Sequence, residues 1–207
     1  MAEPLDFIFG SKSFAQPQAQ PSATPTADPF NAAIGQVQSK YPIFKDVPMA
    51  VTKGSGPYHS ETYMPWDEEN PQRGKLHIQL RSPEAQAQTG DQLHNTIVTE
   101  GMHYLGAKKP DGSPVNPQWY ALKQQFRQAM TPRDLELAKQ HWQDEQKSGG
   151  EKRSFDQFMD RSYLDMFFRG YLFPENQGKE WVDRKGKWPP QQAAVMEKAR
   201  SLLQGQQ

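Results

Sequence analysis

The sequence contains no cysteine, and its charges balance to a net charge of zero. The absence of cysteine excludes disulfide bonds, thiol catalysis and every zinc site built on thiolates. Because Lys and Arg equal Asp and Glu in number, no bulk field draws the chain to nucleic acid or to anionic lipid. The basic residues are also scattered along the chain, so no specific nucleic-acid partner is expected.

Long apolar runs are missing as well. No window approaches the roughly 18 apolar residues of a membrane span, and no membrane span is therefore expected. The first stretch, MAEPLDFIFGSKSF, has no basic segment followed by a long apolar one, which predicts that it is not a secretory signal. The glycine-rich nucleotide motifs and the GxSxG motif are absent too, so no cofactor is expected. These observations predict a soluble protein that is made in a cytoplasm.

The first part of the chain, residues 1–28, reads as an extended or disordered arm. Its apolar residues are Leu5, Phe7, Ile8 and Phe9, and they precede a segment of Gln, Pro, Ala, Ser and Thr. Such a segment has too little apolar area to offset the entropy of ordering it, and its prolines favour extended backbone. One interpretation is a simple disordered tail. The other is an arm that becomes ordered on a partner, which gives the apolar cluster a purpose.

Behind the arm, the sequence predicts a single, mainly α-helical domain over residues 29–207. Residues 29–82 are expected to form a short helix, loops and a strand, and residues 83–207 a bundle of about five helices. A small β element is placed near residues 48–81. The mean hydropathy of −0.92 is low for a compact globule, and this fits a structured domain joined to a non-globular segment.

Helix-start signals and apolar periodicity supply the individual elements. Asp28-Pro29, Asn116-Pro117, Thr131-Pro132, Ser154 with Gln157, and Pro189-Pro190 each mark a helix start. The alternation of apolar and polar residues over Lys75–Arg81 predicts a half-buried strand. A further short extended piece is predicted at Met49–Thr52.

The segment GDQLHNTIVTEGMHYLG, residues 90–106, predicts a buried helix that also carries Asp91, His94, Glu100 and His103. A strand followed by a helix with two histidines and a glutamate suggests a zinc peptidase. However, the HExxH motif needs histidines four residues apart on one face. His94 and His103 are nine apart, which places them on opposite sides of a straight helix. The sequence therefore predicts no metal site, and pairing within the helix is the alternative role for these groups.

Carboxylates on two predicted helices provide a second catalytic hypothesis. Glu100 with Asp160 or Asp165 could act as the acid and base of a glycan-cleaving enzyme. The structural alternative is that Asp165 pairs with Arg169 four residues later, which is an ordinary helix-stabilising contact. The sequence does not set the distance between these carboxylates.

Four segments together, GKLHIQLRS, DQLHNTIVTEGMHYLG, NPQWYALKQQF and SFDQFMDRSYLDMFFRGYLFPE, resemble a group of virion-associated proteins of tailed bacteriophages. The resemblance covers about residues 40–205 and rests on the overall pattern without a diagnostic motif. It implies a structural role in the particle or in ejection, location in the virion after synthesis in the host cytoplasm, and other virion proteins or further copies of the chain as partners. It assigns no catalytic residue. The alternative function is a hydrolase, either a zincin-like relic or a glycan-cleaving enzyme.

Overall fold

The computed structural model describes residues 28–56, 59–147, 152–172 and 188–206. Over these segments the protein is mainly helical with a small sheet, which confirms the predicted fold class at that level. The residues Leu5, Phe7, Ile8 and Phe9 lie outside the described residues, so the arm remains a prediction. None of the helices in these segments combines the length and the apolar character that crossing a membrane requires.

The α-helices within the described segments are α1 (Pro29–Lys40), α2 (Pro83–Gln86), α3 (Gly90–Leu105), α4 (Pro117–Gln128), α5 (Pro132–Lys147), α6 (Phe155–Phe158), α7 (Leu164–Leu172) and α8 (Pro190–Leu203). A 3-10 turn spans Pro42–Phe44, and a π-helical turn, Met159–Tyr163, joins α6 to α7. The three strands are β1 (Met49–Lys53), β2 (Ser60–Tyr63) and β3 (Leu76–Leu80).

Three of the predicted helix starts are confirmed by the contacts of their capping residues. The side chain of Asp28 accepts a hydrogen bond from the backbone N–H of Phe30 at 3.0 Å, and Asn116 accepts one from Trp119 at 2.9 Å. Ser154 and Gln157 form a reciprocal capping box. These side chains satisfy backbone N–H groups that the first turn of a helix leaves without an intrahelical acceptor.

The sheet has the order β1-β3-β2, with β3 parallel to β1 and antiparallel to β2. The strand prediction is right in position but wrong in burial, because β3 is buried on both faces. His77, which was expected to face solvent, is only 1% exposed. Its ring stacks on Tyr63 and contacts the hydroxyl of Thr52 at 2.7 Å. Side chains from neighbouring segments cover this central strand. The alternation of apolar and polar residues within one segment does not reveal such cover.

The core lies where α3 meets β3, α1 and α7, and it continues through α4 and α8. Its densest part is aromatic: the rings of Phe126 and Phe167 are 5.1 Å apart, and those of Trp119 and Phe168 are 5.4 Å apart. All four side chains are at most 1% exposed. Burying each is worth roughly 1.5–3 kcal/mol, so this cluster fixes α4 against α7.

Candidate functional site

The C-terminal half of α3 lines a cavity of about 810 Å³. The cavity is also lined by β2, by Trp66 in the loop that follows β2, and by Tyr120 of α4. Residues in and around α6 complete its wall. It brings together Glu100, His103 and Asp160, which are three of the five residues that the sequence offered as catalytic candidates. The other two, His94 and Asp165, lie elsewhere.

Glu100 is held against the sheet by two hydroxyl groups. Thr62 donates to one carboxylate oxygen at 2.7 Å, and Ser60 donates to the other at 3.2 Å. Because both donors belong to β2, these bonds fix the carboxylate of α3 and the strand relative to each other. Glu100 is therefore positioned in the cavity wall and is only partly available to a ligand.

His103 belongs to a buried charge cluster that we call the Asp165 cluster, formed by Lys123, Asp165 and His103. The Nδ1 atom of His103 is 2.9 Å from Oδ2 of Asp165, and Nζ of Lys123 is 2.9 Å from Oδ1 and 3.0 Å from Oδ2. Lys123 and Asp165 are each 1% exposed. Asp165 thus pairs with groups from α4 and α3, and the predicted Asp165–Arg169 pair does not describe its main contacts. The reason is that Asp165 faces the core, whereas Arg169 faces solvent.

The Asp165 cluster determines the charge of its members. Burial by itself lowers the pKa of His103, but the charge of Asp165 and the hydrogen bond to it raise that pKa to about 9, with a smaller contribution from Glu100. Burial on its own raises the pKa of Asp165, yet the charges of Lys123 and His103 hold the pKa below its ordinary value. At neutral pH the cluster therefore contains a carboxylate and two cations.

Gly106, which directly follows the last residue of α3, makes room for the Asp165 cluster. Its φ is −82°, which other residues also adopt. A Cβ atom at this position would lie 2.6 Å from Nζ of Lys123, well inside contact distance. Glycine is thus required for the close approach of the lysine and not for its backbone conformation.

Asp160 reaches the cavity from the π-helical turn. Its carbonyl oxygen accepts a hydrogen bond from Nζ of Lys123, and its carboxylate is 3.5 Å from a guanidinium nitrogen of Arg127. Nζ of Lys123 therefore contacts both the buried carboxylate of Asp165 and the π-helical turn that carries Asp160 to the cavity wall.

His94 lies in different surroundings, beside a second cavity of about 480 Å³ that Tyr41 and Asp91 also line. Its ring centroid is 5.5 Å from that of Tyr41, and the residue is 8% exposed. Burial lowers the pKa of His94. The two histidines of α3 therefore line separate cavities, as their spacing of nine residues predicts. Across the described segments, no group of three His, Asp or Glu residues has a geometry that could hold a metal ion.

Sequence reasoning missed Lys123, Ser60 and Thr62. The sequence does indicate that Lys123 is buried, because it lies four residues after Trp119 and three before Phe126 on the apolar stripe of α4. A lysine on a core-facing stripe needs a buried carboxylate or carbonyl partner. The sequence gives no such indication for Ser60 and Thr62, because their segment looks like a loop rich in Pro and Gly.

The arrangement offers a ligand both signs of charge at short range. Glu100 supplies a hydrogen-bond acceptor, and the imidazolium of His103 places positive charge in the same wall. Trp66 and Tyr120 add aromatic surface. The cavity thus combines aromatic surface with a few placed polar and charged groups, which is the usual composition of a small-molecule site.

Comparison with known proteins leaves the chain without an assigned family: no family model matches the sequence, and no curated protein or solved structure is significantly similar to it.

Proposed function

We propose that this protein is a structural, interaction-forming component of a tailed-phage particle. It is made in the host cytoplasm, is incorporated into the virion, and attaches to a neighbouring virion protein through its N-terminal arm, residues 1–28. The observation that carries the proposal is the apolar cluster Leu5, Phe7, Ile8 and Phe9 at the far end of a proline-rich segment.

The start of the folded part supports this role. Asp28 and Pro29 are exposed, and the first buried side chain of α1 is Ala33. The arm is therefore attached at the surface. Each buried large apolar side chain contributes roughly 1.5–3 kcal/mol, so the cluster offsets the ordering of its own short stretch. The proline-rich segment behind it then acts as a tether that raises the local concentration of the anchor.

The experiment is to delete residues 1–10 and to measure both thermal unfolding and incorporation into the particle. We expect an unchanged melting temperature and a loss of incorporation. The control deletes residues 15–24, which shortens the tether, keeps the anchor and should preserve incorporation. If deletion of residues 1–10 unfolded the domain, the arm would be part of the protein's own core. Normal incorporation of the first deletion would show that the segment is an ordinary tail.

A second candidate function is a hydrolase, and the presence of Glu100 and Asp160 in one cavity favours its glycan-cleaving form. In that role Asp160 would act as acid and Glu100 as base on a chain bound along β2. The test is release of soluble fragments from purified bacterial cell wall. Glu100→Gln and Asp160→Asn should each abolish release, and Glu136→Gln, on the exposed side of α5, should not. No release by the unaltered protein would rule this candidate out, and about one zinc per chain after dialysis would favour the metallopeptidase instead.

A further inference from the structure

The outer edge of β2 carries main-chain groups that point away from the sheet. The carbonyl of His59 accepts a hydrogen bond from the N–H of Arg81 at 3.0 Å, so these two residues form a hydrogen-bonded pair. In an antiparallel ladder, hydrogen-bonded and non-hydrogen-bonded pairs alternate along the strands. The next pair, Ser60 with Leu80, is therefore not hydrogen-bonded, and neither is the pair that Thr62 forms.

The other side of β3 gives the same register. The carbonyl of Leu80 accepts from the N–H of Gly54 at 2.9 Å, which commits the main chain of Leu80 to β1 and not to β2. The N–H and C=O groups of Ser60 and Thr62 consequently face outward. Within the described parts of the chain, no hydrogen-bond partner is found for them.

This edge is held in a fixed position beside the cavity. The side chains of Ser60 and Thr62 both bind Glu100, so the strand cannot shift relative to α3 without breaking two hydrogen bonds. Two apolar side chains, Met64 and Trp66, line the cavity just beyond the end of the strand. A rigid free edge next to apolar surface is the usual acceptor for an added peptide strand.

The arm has the pattern of such a strand. Leu5, Phe7 and Phe9 alternate with Asp6 and Ile8, so three large apolar side chains would share one face of an extended segment. The tether from Phe9 to Asp28 can extend to roughly 60 Å at about 3.1 Å per residue. A compact body of this size has a radius of gyration of about 16 Å, and the tether can therefore reach a neighbouring copy.

We propose that the arm of one copy, centred on residues 5–9, adds a strand to the outer edge of β2 in a second copy. Its main chain pairs with Ser60 and Thr62, and its apolar face packs on Met64 and Trp66. This inference rests on the proposed function, because it names the surface that receives the anchor. It makes the neighbouring virion protein a second copy of the same chain.

The first test is sedimentation of the full-length chain over a series of concentrations. Thr62→Pro removes the outward N–H and fills the edge, whereas Thr62→Ala removes only the hydroxyl bond to Glu100. We expect concentration-dependent association for the unaltered chain, about tenfold weaker association for Phe7→Ser/Phe9→Ser, and about tenfold weaker association for Thr62→Pro than for Thr62→Ala. A monomer at every concentration, including one whose arm occupies its own β2, would overturn the proposal. Equal association of a folded Thr62→Pro would overturn it as well.

A second measurement does not depend on whether Thr62→Pro folds. Synthetic peptides of residues 1–14 are added to the unaltered chain, with backbone N-methyl groups placed either on Leu5, Phe7 and Phe9 or on Asp6 and Ile8. A paired strand uses the N–H groups of alternate residues, so one methylated peptide should lose its ability to compete and the other should keep it. Equal potency of the two peptides would contradict strand pairing.

The proposed function and this inference fail in different ways. If deletion of residues 1–10 prevents incorporation into the particle while Thr62→Pro incorporates normally, the arm is an anchor but its receptor is not β2. If neither change affects incorporation, the proposed function itself is wrong.

Discussion

The two histidines of α3 present one residue type in two environments. His94 packs against Tyr41, and burial lowers its pKa below the ordinary value of 6.5. His103 lies 2.9 Å from the carboxylate of Asp165, and its pKa rises to about 9. Burial acts in the same direction on both rings, so the difference comes chiefly from the charge of Asp165 and the hydrogen bond to it, with a smaller contribution from Glu100. One helix thus carries a neutral histidine toward one cavity and a cationic histidine toward the other.

The comparison shows that the charge of a side chain on α3 is set by residues from other helices. Asp165 comes from α7 and Lys123 from α4, and the charge of the lysine helps to hold the pKa of the buried Asp165 carboxyl below its ordinary value. A buried ion pair is weak support for overall stability, but removing one partner leaves the other charge without compensation. Substitutions that remove one partner, or that push the partners apart, therefore test this dependence.

Replacing Asp165 should destabilise the protein more than any other single polar change. In Asp165→Asn the cation of Lys123 stays buried without its counter-charge, and we expect a loss of about 3–5 kcal/mol in the free energy of unfolding. Denaturant unfolding at pH 7 measures it. The matched control is Asp156→Asn, because Asp156 also pairs with a cation but is three-quarters exposed, and its loss should stay within about 0.5 kcal/mol. Similar losses in the two variants would show that the buried pair has no special role.

Gly106→Ala should destabilise by a smaller amount. The added methyl group would lie 2.6 Å from Nζ of Lys123, so the lysine must shift from Asp165 or the end of α3 must move. We expect a loss of about 1–3 kcal/mol, measured in the same way. Gly35→Ala in α1 is the control, since its Cβ meets nothing within 4 Å and alanine favours a helix by about 1 kcal/mol. If Gly106→Ala were as stable as Gly35→Ala, Lys123 would not lie as close to residue 106 as the structure shows.

The two histidines should make the free energy of unfolding fall at both ends of the pH range, His94 at acid pH and His103 at alkaline pH. The pKa of His103 is raised on folding, so its contribution is complete below about 6.5 and is lost as the pH rises through about 9. The pKa of His94 is lowered on folding, so stability falls as the pH drops below 6.5 and the unfolded chain takes up the proton. His103→Gln should flatten the alkaline decline, and His94→Gln should reduce the acid decline. The measurement is the free energy of unfolding from pH 5 to 10. If His103→Gln instead reduced the acid decline and His94→Gln the alkaline one, the assignment of the two histidines would be wrong.

The elements that sequence reasoning predicted are those determined locally. A cap such as Asp28 or Ser154 acts within three residues, and the apolar stripe of α3 repeats within one helix. β2 was missed because its short polar segment becomes a strand only by pairing with β3, and a loop separates the two strands in the sequence. The burial of His77 was misjudged for the same reason, since its cover comes from other strands.

The candidate site divides in the same way. The spacing along α3 was enough to separate His94 from His103. It could not show that Glu100 and Asp160 share a cavity, because they belong to different helices. Nor could it show that Asp165 is a buried partner of His103, since that contact depends on how α7 packs against α3.

The most direct test of the account is an NMR titration of the imidazole nitrogens of the unaltered protein between pH 5 and 10. We predict that His94 is neutral above about pH 6.5 and that His103 keeps its proton until about pH 9. In Asp165→Glu, which keeps the charge, His103 should still titrate above His94. A His103 that titrates at or below its ordinary value in the unaltered protein would contradict a cationic wall in this cavity.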